Sequence, residues 1–170
     1  MLETEIQGFW QTHPCGADLV GDLAEESREE YERFFARYDD YRYTKESHIL
    51  TNLDRIDWRG KKVLEIGVGL GADAEQIVRR GGSYTGIDLT EEAVKRVRMR
   101  FDVKDLPYDQ IGPASVTRLP FADDEFDMVY SHGVLHHVPE IDKAQAEIAR
   151  VLKRDGQLVV MLYAKYSLNY

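Results

Sequence analysis

From residue 61 to residue 163, strand-length apolar runs alternate with helix-length amphipathic stretches, and that rhythm admits few folds. "KKVLEIGV" reads as a strand, "ADAEQIVRRG" as a helix stopped by glycine, and "SYTGIDL" as a second strand. "TEEAVKRVRMRF" reads as a helix with Thr90 as its N-cap and two acids in its first turn. A strand near 113–117 follows, then "FDMVYSH" as a strand. "DKAQAEIARVLK" is a helix presenting Ala144, Ile148, Val151 and Leu152, and "GQLVVMLY" is the last strand. Strands separated by helices pair in parallel through right-handed crossovers, so the expectation is an α/β doubly wound, mainly parallel sheet.

Ahead of it, residues 22–38 read as a helix with Leu23, Tyr31, Phe34, Phe35 and Tyr38 near one face, and residues 47–56 as a second short helix. The 170 residues suffice for one domain that buries roughly 70% of its unfolded surface. We therefore expect a single domain over 1–170, with a helical N-terminal extension (1–58) and a sheet core (59–170). Of the net charge of −9, −7 falls in residues 1–60, and no basic stripe stands out, which argues against a nucleic-acid partner. The lone cysteine, Cys15, excludes an intrachain disulfide. No apolar run approaches the ~20 residues of a membrane span and no leader pattern is seen, so the expectation is a cytoplasmic protein without a membrane partner.

The stretch "VLEIGVGLGAD" turns from the first strand into a helix through Gly67, Gly69 and Gly71. In open α/β sheets ligands sit beyond the carboxyl ends of the strands, and glycine is needed where backbone and ligand approach closely. Asp88, at the end of the second strand and 21 residues after Gly67, is placed to accept two ribose hydroxyls. A nicotinamide dinucleotide and S-adenosylmethionine both suit these features. They differ in charge: a pyrophosphate wants bare N–H groups at the helix start, whereas a sulfonium and an ammonium gain from a nearby acid. Glu65 leads into the turn and Asp73 follows it, and the dinucleotide fingerprint is present only in its alanine-ended form, so the balance leans to S-adenosylmethionine.

Four segments, "VLEIGVGLG", "YTGIDLT", "RLPFADDEFDMVYSHGVLHHV" and "EIARVLKRDGQLVVMLY", occur in the order and spacing of class I S-adenosylmethionine-dependent methyltransferases. Over residues 60–163 the chain resembles their small-molecule "methyltransferase type 11" group. The resemblance implies a Rossmann-like sheet of order 3-2-1-4-5, S-adenosylmethionine as cofactor with S-adenosylhomocysteine as product, methyl transfer to a small-molecule acceptor, and an N-terminal extension serving as a lid. It also implies residue roles. Glu65 faces the methionine end, Gly67, Val68 and Gly69 touch the cofactor by backbone with Gly71 closing the loop, Asp88 holds the ribose, and Leu89 lies beside the adenine. At the family's usual acid near the adenine amino group this chain has Ser115, followed by Val116. Ser131 and His132 line the path to the methyl group. "KRDG" replaces the family's usual turn before the final strand, with Gly156 expected at positive φ.

His132, with an unperturbed pKa near 6.5, is the candidate proton acceptor, although direct displacement at a sulfonium does not require one. His132 and His136 are four apart, but no carboxylate or cysteine completes a ligand set, and no metal is expected. His136 and His137 read as a turn in which one ring packs and the other caps backbone groups. Phe34 and Phe35 read as packing residues, while Tyr38, Tyr41 and Tyr43 lie where an acceptor pocket would close. Cys15 beside His13 has nothing else to support a covalent route. After "GQLVVMLY" only seven residues remain, too few for the family's last two strands. The fifth strand would then be an apolar edge, open to pairing with a partner such as a second copy in a homo-oligomer. Two other functions stay open: a cofactor-binding domain without turnover, and an NAD-type oxidoreductase.

Overall fold

The computed structural model describes residues 2–13 and 27–163. In chain order the elements are α1 (Glu3–Thr12), α2 (Arg28–Lys45), α3 (His48–Asp54), β1 (Lys62–Ile66), α4 (Ala72–Arg79), β2 (Ser83–Asp88), α5 (Glu91–Val103), β3 (Gln110–Pro113), β4 (Phe126–His132), a 3-10 turn (Leu135–His137), α6 (Ile141–Val151) and β5 (Leu152–Met161). The strands form one sheet of order β3-β2-β1-β4-β5 in which every pair is parallel. This is the doubly wound α/β architecture the alternation implies.

Side chains on β1 point alternately to two layers. Val63 packs with Ile49 and Leu53 of α3, Ile77 of α4, and Val97 and Phe101 of α5. Leu64 and Ile66 pack on the other face against Ala144, Ile148 and Val151 of α6. A strand buried on both faces has no polar side to show, which is why "VLEI" is nearly all apolar. The N-terminal helices belong to the same body. Trp58 is 1% exposed, donates its indole N–H to the Leu53 carbonyl at 2.8 Å, and meets the Tyr130 ring edge-on. A third apolar cluster joins Tyr31, Phe34, Phe35 and Tyr38 of α2 to Leu70, Ala72 and Val103, at the ends of α4 and α5.

Several boundaries differ from the sequence expectation. Of the expected helix over 22–38, residues 22–26 lie outside the described residues; helix α2 begins at Arg28 and runs seven residues past Tyr38. Ser27 caps it by accepting from the Glu30 N–H at 3.2 Å, Glu29 and Glu30 fill its first turn, and Arg42 and Lys45 complement its last. Leu23 and Cys15 lie outside the described residues. Strand β3 ends at Pro113 rather than spanning 113–117, because Ser115 begins a turn in which its hydroxyl accepts the Thr117 N–H at 3.2 Å. Leu152 opens β5 instead of closing α6. Within β5 the "KRDG" segment is a bulge: Phe126 pairs Leu152 but Met128 pairs Gln157. Gly156 is not at positive φ. It is needed for room, since a Cβ there would stand 2.8 Å from the Leu152 side chain and 2.9 Å from the Lys153 carbonyl. Among the described strands β5 lies at the edge, and Leu158 and Val160 are 45% and 40% exposed. Among the described residues no helix is long and apolar enough to cross a membrane.

Candidate functional site

One cavity opens beyond the carboxyl ends of β1, β2 and β4. Glu65, Gly67, Val68, Gly69, Gly71, Asp88, Leu89, Ser115, Val116 and His132 all line it. Ser131 does not. It is fully buried, and its hydroxyl donates to the Ile66 carbonyl at 3.0 Å, tying β4 to β1 from behind the wall. The pleat explains the difference, because adjacent residues on β4 face opposite sides of the sheet.

The glycine loop is shaped by space as well as by φ. At Gly67 (φ 81°) a Cβ would fall 2.3 Å from a Val134 methyl group, so the β1 turn and the turn after β4 touch through a missing side chain. At Gly69 (φ 52°) a Cβ would meet nothing within 4 Å, leaving bare backbone beside open cavity. Asp88 stands next to it. One carboxylate oxygen accepts the Thr90 N–H at 3.0 Å and the Thr90 hydroxyl at 2.9 Å, and the other accepts only a long bond, 3.4 Å, from the Gly69 N–H. Burial raises its pKa, opposed by the Thr90 bonds. Asp88 therefore braces the turn before α5 and keeps acceptor capacity toward the cavity.

Glu65 is 3% exposed and accepts the Tyr84 hydroxyl at 2.5 Å. Burial, with the charge of Asp73 nearby, pushes its carboxyl up to about 8 despite that bond. Asp73 has a different occupation from the one its position suggests. The Arg42 guanidinium grips it in bidentate fashion at 3.1 and 2.6 Å, and the hydroxyls of Tyr130 (2.9 Å) and Tyr43 (3.3 Å) add two more bonds. Burial alone would raise the Asp73 carboxyl, but Arg42 outweighs it and holds it below the usual range. Its charge is thus spent on Arg42, and Glu65 is left as the acid of the loop that faces the cavity uncompensated.

His132 lines the cavity on the α2 side. Its Nε2 lies 3.6 Å from the Glu46 carboxylate and its Nδ1 lies 3.4 Å from the Tyr130 hydroxyl. The 3-10 turn packs both of its histidine rings: His137 meets Trp10 with centroids 5.6 Å apart, and His136 meets Tyr163 at 4.9 Å. Neither ring caps a backbone group among the described residues, so that expectation is corrected. Of the three tyrosines, Tyr38 lines the cavity, Tyr43 serves Asp73, and Tyr41 does neither. No group of three or more metal-ligating side chains comes together among the described residues. Sequence reasoning missed Glu3, Ile6, Trp10 and Arg42, which α1 and α2 bring into the wall. The one available hint was Ser115, a neutral residue where a charge was wanted.

A parallel sheet of this order, with a glycine loop and an acid at the second strand end around one cavity, defines a nucleoside-cofactor domain of the α/β class. The methyltransferase domain family matches residues 64–160, and the chain belongs to it, as a class I S-adenosylmethionine-dependent methyltransferase domain. It is 38% identical over 104 residues to a fatty-acid O-methyltransferase of Mycolicibacterium smegmatis, covering 60% of this chain and 37% of that protein. It is 32% identical over 107 residues to a phosphatidylethanolamine N-methyltransferase of Cereibacter sphaeroides, covering 62% and 52%. The solved structure of YcgJ from Bacillus subtilis superposes with a TM-score of 0.62 at 30% identity, covering 67% of this chain and 50% of that one. The chain spans between about a third and a half of the length of these curated relatives.

Proposed function

We propose that this domain binds S-adenosylmethionine and directs its methyl group to a small-molecule acceptor. The observation that carries the reading is the pair of acids lining one cavity, the buried Glu65 carboxyl and the half-buried Asp88 carboxylate beside the Gly69 N–H. The residues fit the cofactor's chemistry: Asp88 has acceptor capacity for ribose hydroxyls, and Glu65 is an acid for the ammonium. An ammonium gains more from that acid's ionised form than a dinucleotide's pyrophosphate gains from it in either protonation state, and the one guanidinium lining the cavity among the described residues, Arg42, is already held by Asp73 and Glu46. Bound S-adenosylmethionine supplies a methyl group activated for direct displacement. The chain's task is to orient the two reactants and exclude water, which by itself accounts for large accelerations. Val134, Val138 and Ile6 give the wall an apolar side. That suits acceptors with a hydrocarbon portion, such as those in the names of the two relatives.

Calorimetric titration with S-adenosylhomocysteine and, separately, NAD tests the reading: the first binds and the second does not. At pH 7 the free Glu65 carboxyl keeps its proton, and an ammonium beside it favours the ionised form. Binding therefore releases a proton, and affinity rises as pH climbs from 6 toward 8, by up to ~10-fold per unit, then levels off. Glu65→Gln flattens that rise. Asp88→Ala weakens binding by about 10- to 100-fold, the worth of charge-assisted bonds, and lowers the melting temperature as well, because Thr90 loses both its bonds. Binding of NAD alone would overturn the assignment. Binding without transfer to any acceptor would favour the reading as a domain without turnover.

Where the acceptor must lose a proton, His132 is the residue placed to take it, with Glu46 behind its Nε2. His132→Ala leaves S-adenosylhomocysteine binding within about threefold and slows transfer to such acceptors, while acceptors already deprotonated are spared. An equal loss for both kinds would remove His132 from proton transfer. The site and composition favour a cytoplasmic enzyme without nucleic-acid partners. The side of β5 that no described strand pairs is where a second copy would add a strand, and light scattering reads that directly.

A further inference from the structure

Helix α1 presents Glu3, Ile6 and Trp10 on one face, and all three line the cavity. It is held at three points. Glu3 Oε2 accepts the Ser115 hydroxyl at 2.7 Å, the Gln7 side-chain amide donates to the Leu89 carbonyl at 2.8 Å, and Trp10 meets the His137 ring edge-on. Ser115 is fully occupied by this arrangement. It gives its proton to Glu3 and accepts the Thr117 N–H at 3.2 Å, so it serves as a mount for the carboxylate. The Thr117 hydroxyl stands 3.5 Å from the same Glu3 oxygen. The other oxygen, Oε1, takes no hydrogen bond from any described residue. The cavity that Glu3 lines has Ile6, Leu89 and Val116 among its apolar residues. A half-buried carboxylate with one oxygen that takes no donor from the described residues, in a cavity with apolar lining, suits a flat ring that carries an N–H group at its edge.

Resting on the S-adenosylmethionine reading above, we propose that Glu3 reads the base of the cofactor. Its free oxygen accepts a hydrogen bond from the exocyclic amine of adenine, and α1 forms the wall that closes over that end. Sequence position 115 then lacks a charge because the charge arrives from the other end of the chain, 112 residues away. A carboxylate also rejects a 6-oxo purine, since two acceptors would face each other.

The test compares S-adenosylhomocysteine with S-inosylhomocysteine by calorimetry on the full chain and on Glu3→Ala, Glu3→Gln and Ser115→Ala, with circular dichroism confirming that each variant is folded. The unaltered chain should prefer the adenosyl ligand by about 10- to 100-fold, the ratio expected when a charged acceptor gains or loses its donor. Glu3→Ala should bring the two ligands within about threefold of each other by weakening only the adenosyl one. Glu3→Gln should regain inosyl binding, because an amide can donate to the 6-oxo group, and Ser115→Ala should fall between. Unchanged discrimination in Glu3→Ala overturns the role of Glu3 while leaving the cofactor reading intact. Failure of the unaltered chain to bind either ligand overturns both.

Discussion

Asp73→Ala is expected to destabilise the domain by about 3–5 kcal/mol, the usual cost of breaking a buried ion pair from one side. Asp73 is 4% exposed and takes four hydrogen bonds, two of them from Arg42, whose side chain is 16% exposed. Alanine leaves that guanidinium with only Glu46 among the acids it pairs and leaves the Tyr130 hydroxyl only its long, 3.4 Å contact with His132 Nδ1. Since the Asp73 carboxyl is held below its ordinary value, its contribution is complete above the unfolded pKa near 3.8 and fades as pH falls through the lower folded value. The difference between the two proteins in urea denaturation should therefore be full at pH 7 and shrink below about pH 4. Adding Arg42→Leu to Asp73→Ala should recover part of the loss by removing the unpaired charge. A loss under about 1 kcal/mol in the single variant would mean that water already relieves Arg42.

Arg100→Met should cost about 3 kcal/mol, toward the lower end of the same range. Arg100 is fully buried and joins three elements at once. It bonds Glu75 of α4 at 2.9 Å, the Leu70 carbonyl of the glycine loop at 3.2 Å, and Asp39 of α2. Its guanidinium also lies 5.0 Å from the Phe35 ring centroid. Methionine keeps most of the volume, so the loss is electrostatic and not a cavity. It falls short of the upper figure because Glu75 retains Lys104 at 2.9 Å and Arg79 at 2.7 Å. For a domain of this size, a fall in melting temperature of about 6–12 °C is the readout. Cofactor affinity should drop too, since the Leu70 carbonyl that Arg100 holds belongs to the loop lining the cavity. A variant that melts within a degree or two of the unaltered chain would show that Glu75 and Asp39 redistribute onto Lys104 without loss.

The sheet was legible in the sequence because its central strands are buried on both faces, which leaves "VLEI" and "MVYS" no alternation to confuse with helix. Ends were less legible. Nothing in "DDYRYTK" marks a stop, and α2 continues through it to pair Arg42 with Asp73 far away in sequence. The loop glycines and Asp88 could be read because strand, turn and acid sit close together along the chain. Ser131 and His132 were indistinguishable by position, and only the pleat of β4 separates wall from backing. Glu3, Arg42 and Glu46 carried no local mark at all, since their places depend on how α1 and α2 pack over the strand ends. The Asp73 acid was read correctly as close to the loop, but its partner was invisible.

The central place of β1 also fixes a sequence of events in synthesis. Val63 pairs Tyr84 of β2 on one side and Met128 of β4 on the other. The first partner leaves the ribosome about twenty residues after β1, the second more than sixty. Through that interval the middle of the future sheet is an apolar margin with its N–H and C=O groups open to any passing strand. The glycine loop and Asp88 are already made by then, so half of the ligand's cradle precedes the strand that seals its far side.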